Sequence, residues 1–154
     1  MTAIVDTIEV AAPIDRVFGP VSDVERWPSL LSHYRWVKML ERTGPLEGIV
    51  EMAAYRPFGP FNYPTWWVSR MEVDPARHEV RYRHVRGITT GMDVVWRLSA
   101  TSAGTHIDLA HSWEGPDWPL IRRPAAEWVI LPIFVHGIAS RTLAGIKRFA
   151  EVGV

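Results

Sequence analysis

PTWWVSRMEVDPARHEVRYRHV, residues 64 to 85, reads as two strands around a turn, and its phase decides what kind of interior the chain encloses. Side chains alternate between the two faces of a strand. In the first half Trp67, Ser69, Met71 and Val73 share one face, while Trp66, Val68, Arg70 and Glu72 share the other. The former is the more apolar, so alternation sends Trp67 inward and leaves Trp66 and Arg70 outside, unless a bulge reverses the phase. Asp74-Pro75 supplies the turn. In the second half Val80, Tyr82 and His84 oppose Arg81 and Arg83.

The same period of two extends outward in both directions. It predicts strands at Tyr34–Arg42, Glu47–Arg56, Thr65–Asp74, His78–Val85, Met92–Ala100 and Thr105–Trp113, separated by turns rich in Gly, Pro, Asp and Ser. TAIVDTIEVAA reads as an earlier strand, ended by Pro13. Between it and Tyr34 stand two short helical stretches, one starting at Pro13 and one capped by Ser22 or Asp23, with Pro28 at or near the end of the second. From Pro124 to Glu151 the pattern changes to that of one long helix with a kink expected at Pro132. Val135, Ala139, Leu143, Ile146 and Phe149 form its apolar stripe, and Arg141, Lys147, Arg148 and Glu151 its charged face. The order predicts an α+β chain, a single domain over 1–154 in which a curved antiparallel sheet of seven strands grips a C-terminal helix. A sheet curved round one helix leaves a concave apolar site between them.

Composition narrows the function. Of 154 residues 47% are hydrophobic, enough for one sizeable core, and 17 basic residues balance 17 acidic ones. That balance gives no field to recommend a nucleic-acid or acidic-membrane partner, which points to a small molecule. With no cysteine there are no disulfides, thiolate metal sites or cysteine nucleophiles, in keeping with a cytoplasmic protein. The N-terminus lacks the basic and apolar regions of a signal peptide. The nearly apolar run Trp128 to Ala139 falls short of the roughly 20 residues that span a bilayer, so no transmembrane segment is expected. The six histidines show no metal-ligand spacing, and no G-x-S-x-G elbow occurs. Eight tryptophans are the informative excess, and an aromatic-lined cavity accounts for several of them.

VAAPIDRVFGPVSDVERWPSLLSHYRWVKMLER resembles the START-like, Bet v 1-like superfamily, and within it the bacterial polyketide aromatase/cyclases and their relatives. The matching pieces are Ala12-Pro13, Asp23-x-x-x-Trp27-Pro28 and Ser32-x-Tyr34. WVSRMEVD, MDVVW and GTHIDLAHSW are similar to later strands of those cyclases, and ASRTLAGIKRFAE to their closing helix. The resemblance implies a helix-grip fold with a deep pocket and Trp67 and Ser69 at lining positions. It also implies aldol cyclisation and dehydration of a poly-β-ketone without metal or organic cofactor, or else carriage of a lipid or quinone. In those cyclases an inward arginine lies four positions after the tryptophan, and here that place is held by Met71.

The inward faces of the other strands complete the expected pocket. They carry Tyr82 and His84, then Met92, Val94, Trp96 and Leu98, then Ile107, Leu109, His111 and Trp113. Trp27, Trp67, Ser69, Met71, Tyr82, Met92, Trp96, Leu109, Trp113 and Phe134 form the expected ligand-contacting set. Tyr34, His84 and His111 are the candidates for carbonyl polarisation and proton transfer, and each also reads as an ordinary core residue. Arg77, Arg81, Arg83 and Arg86 form a basic stripe that Glu72, Glu79 and Asp93 are placed to balance. Trp118, Leu120, Trp128, Ile130, Ile133 and Phe134 surround the entrance to the long helix. They admit four readings: a lid, a homodimer surface, a membrane-touching edge, or burial beneath the sheet.

Overall fold

The computed structural model describes residues 2–152. The chain runs through β1 (Thr2–Val10), α1 (Ile14–Ser22), a 3-10 turn (Val24–Arg26) and α2 (Trp27–Leu30). Six strands follow: β2 (Tyr34–Gly44), β3 (Glu47–Phe58), β4 (Phe61–Asp74), β5 (Glu79–Arg86), β6 (Asp93–Thr101) and β7 (Gly104–Trp113). A final helical run comprises α3 (Arg122–Ala125), a π-helical segment (Ala126–Val135) and α4 (His136–Val152). All seven strands form one antiparallel sheet in the order β1-β7-β6-β5-β4-β3-β2. Strands β2 to β7 are thus a meander, and β1 pairs with β7 to close the far edge. This is the α+β helix-grip fold that the strand alternation and the apolar helix stripe predict.

Alternation shows directly in β7, where Thr105, Ile107, Leu109, His111 and Trp113 are buried and their neighbours are not. Antiparallel register then lines up inward side chains as rungs. One rung runs Met71, Tyr82, Val94, His111, Ile4, and the next Val73, Val80, Trp96, Leu109, Asp6. Val17, Val21, Val50, Val80, Ile107 and Ile146 are wholly buried, each removal from water contributing about 1.5–3 kcal/mol. Gly104, at φ +145°, makes the turn into β7 where a Cβ would stand 2.1 Å from the Val10 carbonyl oxygen.

Pro13 precedes α1, which buries Val17, Phe18 and Val21. Pro28 sits in the first turn of α2, so it opens that helix instead of closing one, at a position where no N–H is required. Trp27 is buried and donates its indole N–H to the Pro20 carbonyl at 2.9 Å. At Pro132 the expected kink is replaced by a widened coil. Proline offers no N–H to the Trp128 carbonyl, and the surrounding ten residues take up π geometry, ending where the His136 N–H reaches back five residues to Leu131. By length and composition the continuous helix Arg122–Val152 could cross a membrane, whereas the sequence run Trp128 to Ala139 is too short. In this fold Ala139, Leu143, Ile146 and Ala150 are buried in the core shared with the sheet. The arginine stripe of β5 and β6 is balanced on the outer face: Glu79 takes Arg81 and Arg97, each at 3.1 Å, and Asp93 takes Arg83 at 2.9 Å.

Candidate ligand-binding cavity

Between the sheet and the final helical run lies a cavity of about 780 Å³, within the range that encloses most of a drug-sized ligand. Its walls are mostly aromatic. Trp27 and Tyr34 pack edge to face with ring centroids 5.1 Å apart, Trp27 meets Trp96 at 5.8 Å, and Tyr34 meets Trp67 at 6.3 Å. Trp67 stacks on His84 at 5.8 Å with the rings only 10° from parallel. Met92, Val94 and Leu109 supply the aliphatic part of the sheet wall, and Ile138, Ala139 and Thr142 that of α4.

Ten of the residues expected from sequence line this cavity: Trp27, Tyr34, Trp67, Tyr82, His84, Met92, Trp96, Leu109, His111 and Phe134. Ser69, Met71 and Trp113 do not, although all three are buried. Ser69 pairs across strands with His84, and Met71 with Tyr82, and in each case the larger partner reaches the space. Trp113 turns its indole N–H to the Thr90 carbonyl at 3.1 Å and fastens the β5–β6 connection. Arg70 is exposed on the outer face. The sheet does contain a bulge here, but the extra residue is Val85 of β5, so the phase of β4 is unchanged.

Trp66 departs from the expectation that it lies outside, for it lines the cavity mouth while remaining 40% exposed. The reason lies in β5, whose pairing with β4 stops at Arg86, opposite Val68. The segment Phe61–Trp67 therefore pairs only with β3, and both of its faces border the opening. Gly87, at φ +102°, turns the chain away directly over the Trp66 carbonyl, 2.9 Å from where a Cβ would stand. Segment 114–135 is only partly buried: Ala126, Ile130 and Leu131 join the core, whereas its other apolar side chains stay nearer the surface. Trp118, Ile121, Trp128 and Val129 line the cavity yet are largely exposed, and Leu120 is 99% exposed at φ +69°. This segment roofs the cavity and, with Tyr63 and Ile88, surrounds its mouth with apolar side chains. Tyr63, Trp66, Ile88, Met52 and Thr142 were absent from the sequence-derived set. Two of them had a signal there: Met52 shares the apolar face of its strand with Val50 and Ala54, and Thr142 lies three residues beyond Ala139 on the inward side of the helix.

The polar groups in this interior are few. Burial holds His84 at a pKa of about 3, with the nearby His111 adding to the effect, and burial alone holds His111 at about 4. Both imidazoles are thus neutral at pH 7 and act as hydrogen-bonding groups instead of cations. The His84 Nδ1 is engaged by the Thr89 hydroxyl at 2.6 Å. Burial raises the pKa of the Tyr34 phenol, opposed by the Thr142 hydroxyl, and raises that of Tyr82 with the Tyr34 phenol adding to it, so both retain their protons. Of the four buried side-chain polar atoms without a partner among the described residues, two belong to cavity-lining side chains: the Tyr82 hydroxyl and the His111 Nδ1. They belong to one rung with Val94 between them, which places their Cα atoms about 10 Å apart. Both side chains line the cavity while the two atoms themselves have almost no exposed surface, so a small shift of either side chain is what presents them to the oxygen of an apolar ligand. No three His, Cys, Asp or Glu side chains converge as a metal site among the described residues.

Comparison with known proteins accords with this architecture. A family described as polyketide cyclase / dehydrase and lipid transport matches residues 1–151. A putative polyketide cyclase of Streptomyces cyaneus is 32% identical over 116 residues, covering 73% of this chain and 74% of the relative. The granaticin polyketide synthase bifunctional cyclase/dehydratase of Streptomyces violaceoruber is 32% identical over 150 residues, 96% of this chain but only 43% of that longer protein. The crystal structure of the Zhui aromatase/cyclase from Streptomyces sp. R1128 has the same fold, with a TM-score of 0.73 at 23% identity over 99% of this chain and 97% of that one. On sequence and fold together, the chain belongs to the family of polyketide cyclases, dehydrases and lipid-transport proteins.

Proposed function

We propose that the aromatic cavity binds a polyketide-like or polycyclic ketone and directs its cyclisation by aldol addition and loss of water. The observation that carries this reading is the pair of partnerless polar atoms, the Tyr82 hydroxyl and the His111 Nδ1, in an otherwise apolar interior. A buried polar group without a partner costs stability, and a ligand oxygen offsets that cost. Bound this way, a poly-β-ketone is folded by the aromatic walls so that an enolate carbon meets a carbonyl carbon in the same chain. The new C–C bond forms as the carbonyl oxygen takes up a proton, and water then leaves. Tyr34, His84 and His111 polarise carbonyls and stabilise the enolate as neutral hydrogen-bond donors. Histidines with pKa values of about 3 and 4 are weak general bases, so positioning and water exclusion do most of the work. The family membership supports the reaction class.

A second reading, a non-catalytic carrier of a lipid or quinone, is favoured by one specific feature. Met71 stands where the resembling cyclases place an inward arginine, and Arg70 is directed outside. The two readings part on chemistry, not on binding. A purified protein offered a poly-β-ketone thioester should release one regiospecific cyclised product, and the triple variant Tyr34→Phe, His84→Leu, His111→Leu should bind the same compounds but scramble the product. If the wild-type protein binds the substrate and returns it unchanged, the carrier reading replaces the cyclase.

A further inference from the structure

A second concavity, of about 440 Å³, lies between α4, the segment Leu31–His33 and the β3–β4 hairpin. Its chemistry is the reverse of the aromatic cavity's. Arg141 and Arg148 are seven residues apart on α4, about two turns, so both project from one side of the helix into the same crevice. Between them Ala144 and Gly145 leave the floor open, and Gly145 is limited to a hydrogen because a Cβ would stand 2.3 Å from Leu31 Cδ2. Ser32, Tyr55 and Asn62 line the same crevice, and their hydroxyl and amide groups make no side-chain hydrogen bond with other described residues. Two more guanidiniums adjoin it. Arg35 lies over the Tyr55 ring at 5.1 Å, and Arg56 packs against Gly137, whose carbonyl accepts from Arg141 at 2.8 Å.

Among the described residues no carboxylate forms an ion pair with Arg35, Arg56, Arg141 or Arg148, although the chain as a whole is neutral. Burial and then the Arg141 charge weaken the hold of both Arg56 and His33 on a proton, and His33 falls to about 4. A bound anion would relieve that repulsion. Planar guanidinium forks take two oxygens of a tetrahedral anion at once, which a lone ammonium does not.

We propose that this crevice is a second ligand site that takes the phosphate group of a phosphate ester, with Arg141 and Arg148 as its charged ligands and Ser32 and Asn62 as neutral donors. The site stands independently of what fills the aromatic cavity. It communicates with that cavity through His33, whose Nε2 lies 3.0 Å from the Thr142 hydroxyl and whose ring packs on Tyr34 at 4.8 Å, Thr142 and Tyr34 both lining the aromatic wall. An anion on Arg141 would let His33 accept a proton more readily and alter those contacts.

The test is a titration of 15N-labelled protein with inorganic phosphate, glycerol 3-phosphate and acetate at fixed ionic strength and pH 7. Saturable shifts at Gly145 and the Asn62 side-chain amide are expected with both phosphates, weakened at least fivefold by Arg148→Gln and at least tenfold by the Arg141→Gln, Arg148→Gln pair. Arg70→Gln, on the outer face, should leave them unchanged. Arg148 is exposed, so its single variant should fold as the wild type does and keeps the test sound if the double variant does not. Phosphatidylcholine vesicles with and without phosphatidic acid separate the two sources of the group. Sedimentation with the acidic vesicles that Arg148→Gln reduces assigns a lipid headgroup, and saturable binding of glycerol 3-phosphate alone assigns a soluble ester. Shifts that stay linear, that acetate reproduces, or that no arginine variant alters in either arm would overturn the proposal.

Discussion

Tyr82→Phe should strengthen the free protein while weakening its hold on an oxygen-bearing ligand. The side chain is 6% exposed, and its hydroxyl has no hydrogen-bond partner. Burying such a group costs about 1–3 kcal/mol, and phenylalanine removes it without opening a cavity, since the ring is unchanged. A gain of about 1–2 kcal/mol is expected in urea denaturation followed by tryptophan fluorescence, with an unchanged m-value. For a chain of this size the same gain raises Tm by roughly 2–8 °C. Binding should move the opposite way. A hydroxyl-to-carbonyl hydrogen bond is worth about 0.5–1.5 kcal/mol, so affinity for a hydroxyanthraquinone, read by tryptophan quenching, should fall roughly 2- to 13-fold. Anthracene, with the same shape and no oxygen, should bind both proteins equally. If the variant is less stable than wild type, or if both probes are affected alike, Tyr82 is an ordinary core residue and the cavity's polar design has been misread.

Other variants separate framework from site. Trp113→Phe should cost about 1–3 kcal/mol by loss of volume and of the bond to Thr90, with ligand affinity unchanged, whereas Trp96→Phe should alter affinity because Trp96 borders the cavity; equal affinities for both variants would contradict the division. His136→Ala should destabilise by about 1.5–3 kcal/mol, because the His136 Nδ1 is the hydrogen-bond partner of the buried Asp6 carboxylate on β1. A neutral effect in thermal unfolding would place that carboxylate in contact with water. Acidification should destabilise the fold between pH 6.5 and about 4. Burial keeps His33, His84 and His111 neutral in the folded chain, so below 6.5 the unfolded chain takes up protons that the folded one refuses. The loss is at most about 1.4 kcal/mol per pH unit for each histidine, and is absent above 6.5. His84→Leu should flatten the decline measured between pH 7 and 5, and an equally steep decline would show that His84 is not held neutral.

Alternation alone determined the side of β4 to which Trp67 and Arg70 belong, because a strand's two faces are opposed whatever it packs against, and the apolar stripe from Val135 to Phe149 likewise demanded a sheet to cover. Those local periodicities were sufficient for the helix-grip fold and for the inward placement of Tyr82, His84, Trp96 and His111. They were insufficient where position depends on the length of a neighbour. Trp66 reaches the cavity mouth because β5 stops at Arg86, and nothing in the residues around Trp66 carries that information. Ser69, Met71 and Trp113 have the inward phase and the burial, yet larger or differently bonded side chains stand between them and the space. The crevice at Arg141 and Arg148 is a still more distant juxtaposition. Its helix side reads as a solvated face, and only the closure of the β3–β4 hairpin over α4 brings Asn62 and Tyr55 to the same place. Periodicity is a property of each segment, whereas a binding site is a property of where segments end relative to one another, which only the packed chain decides.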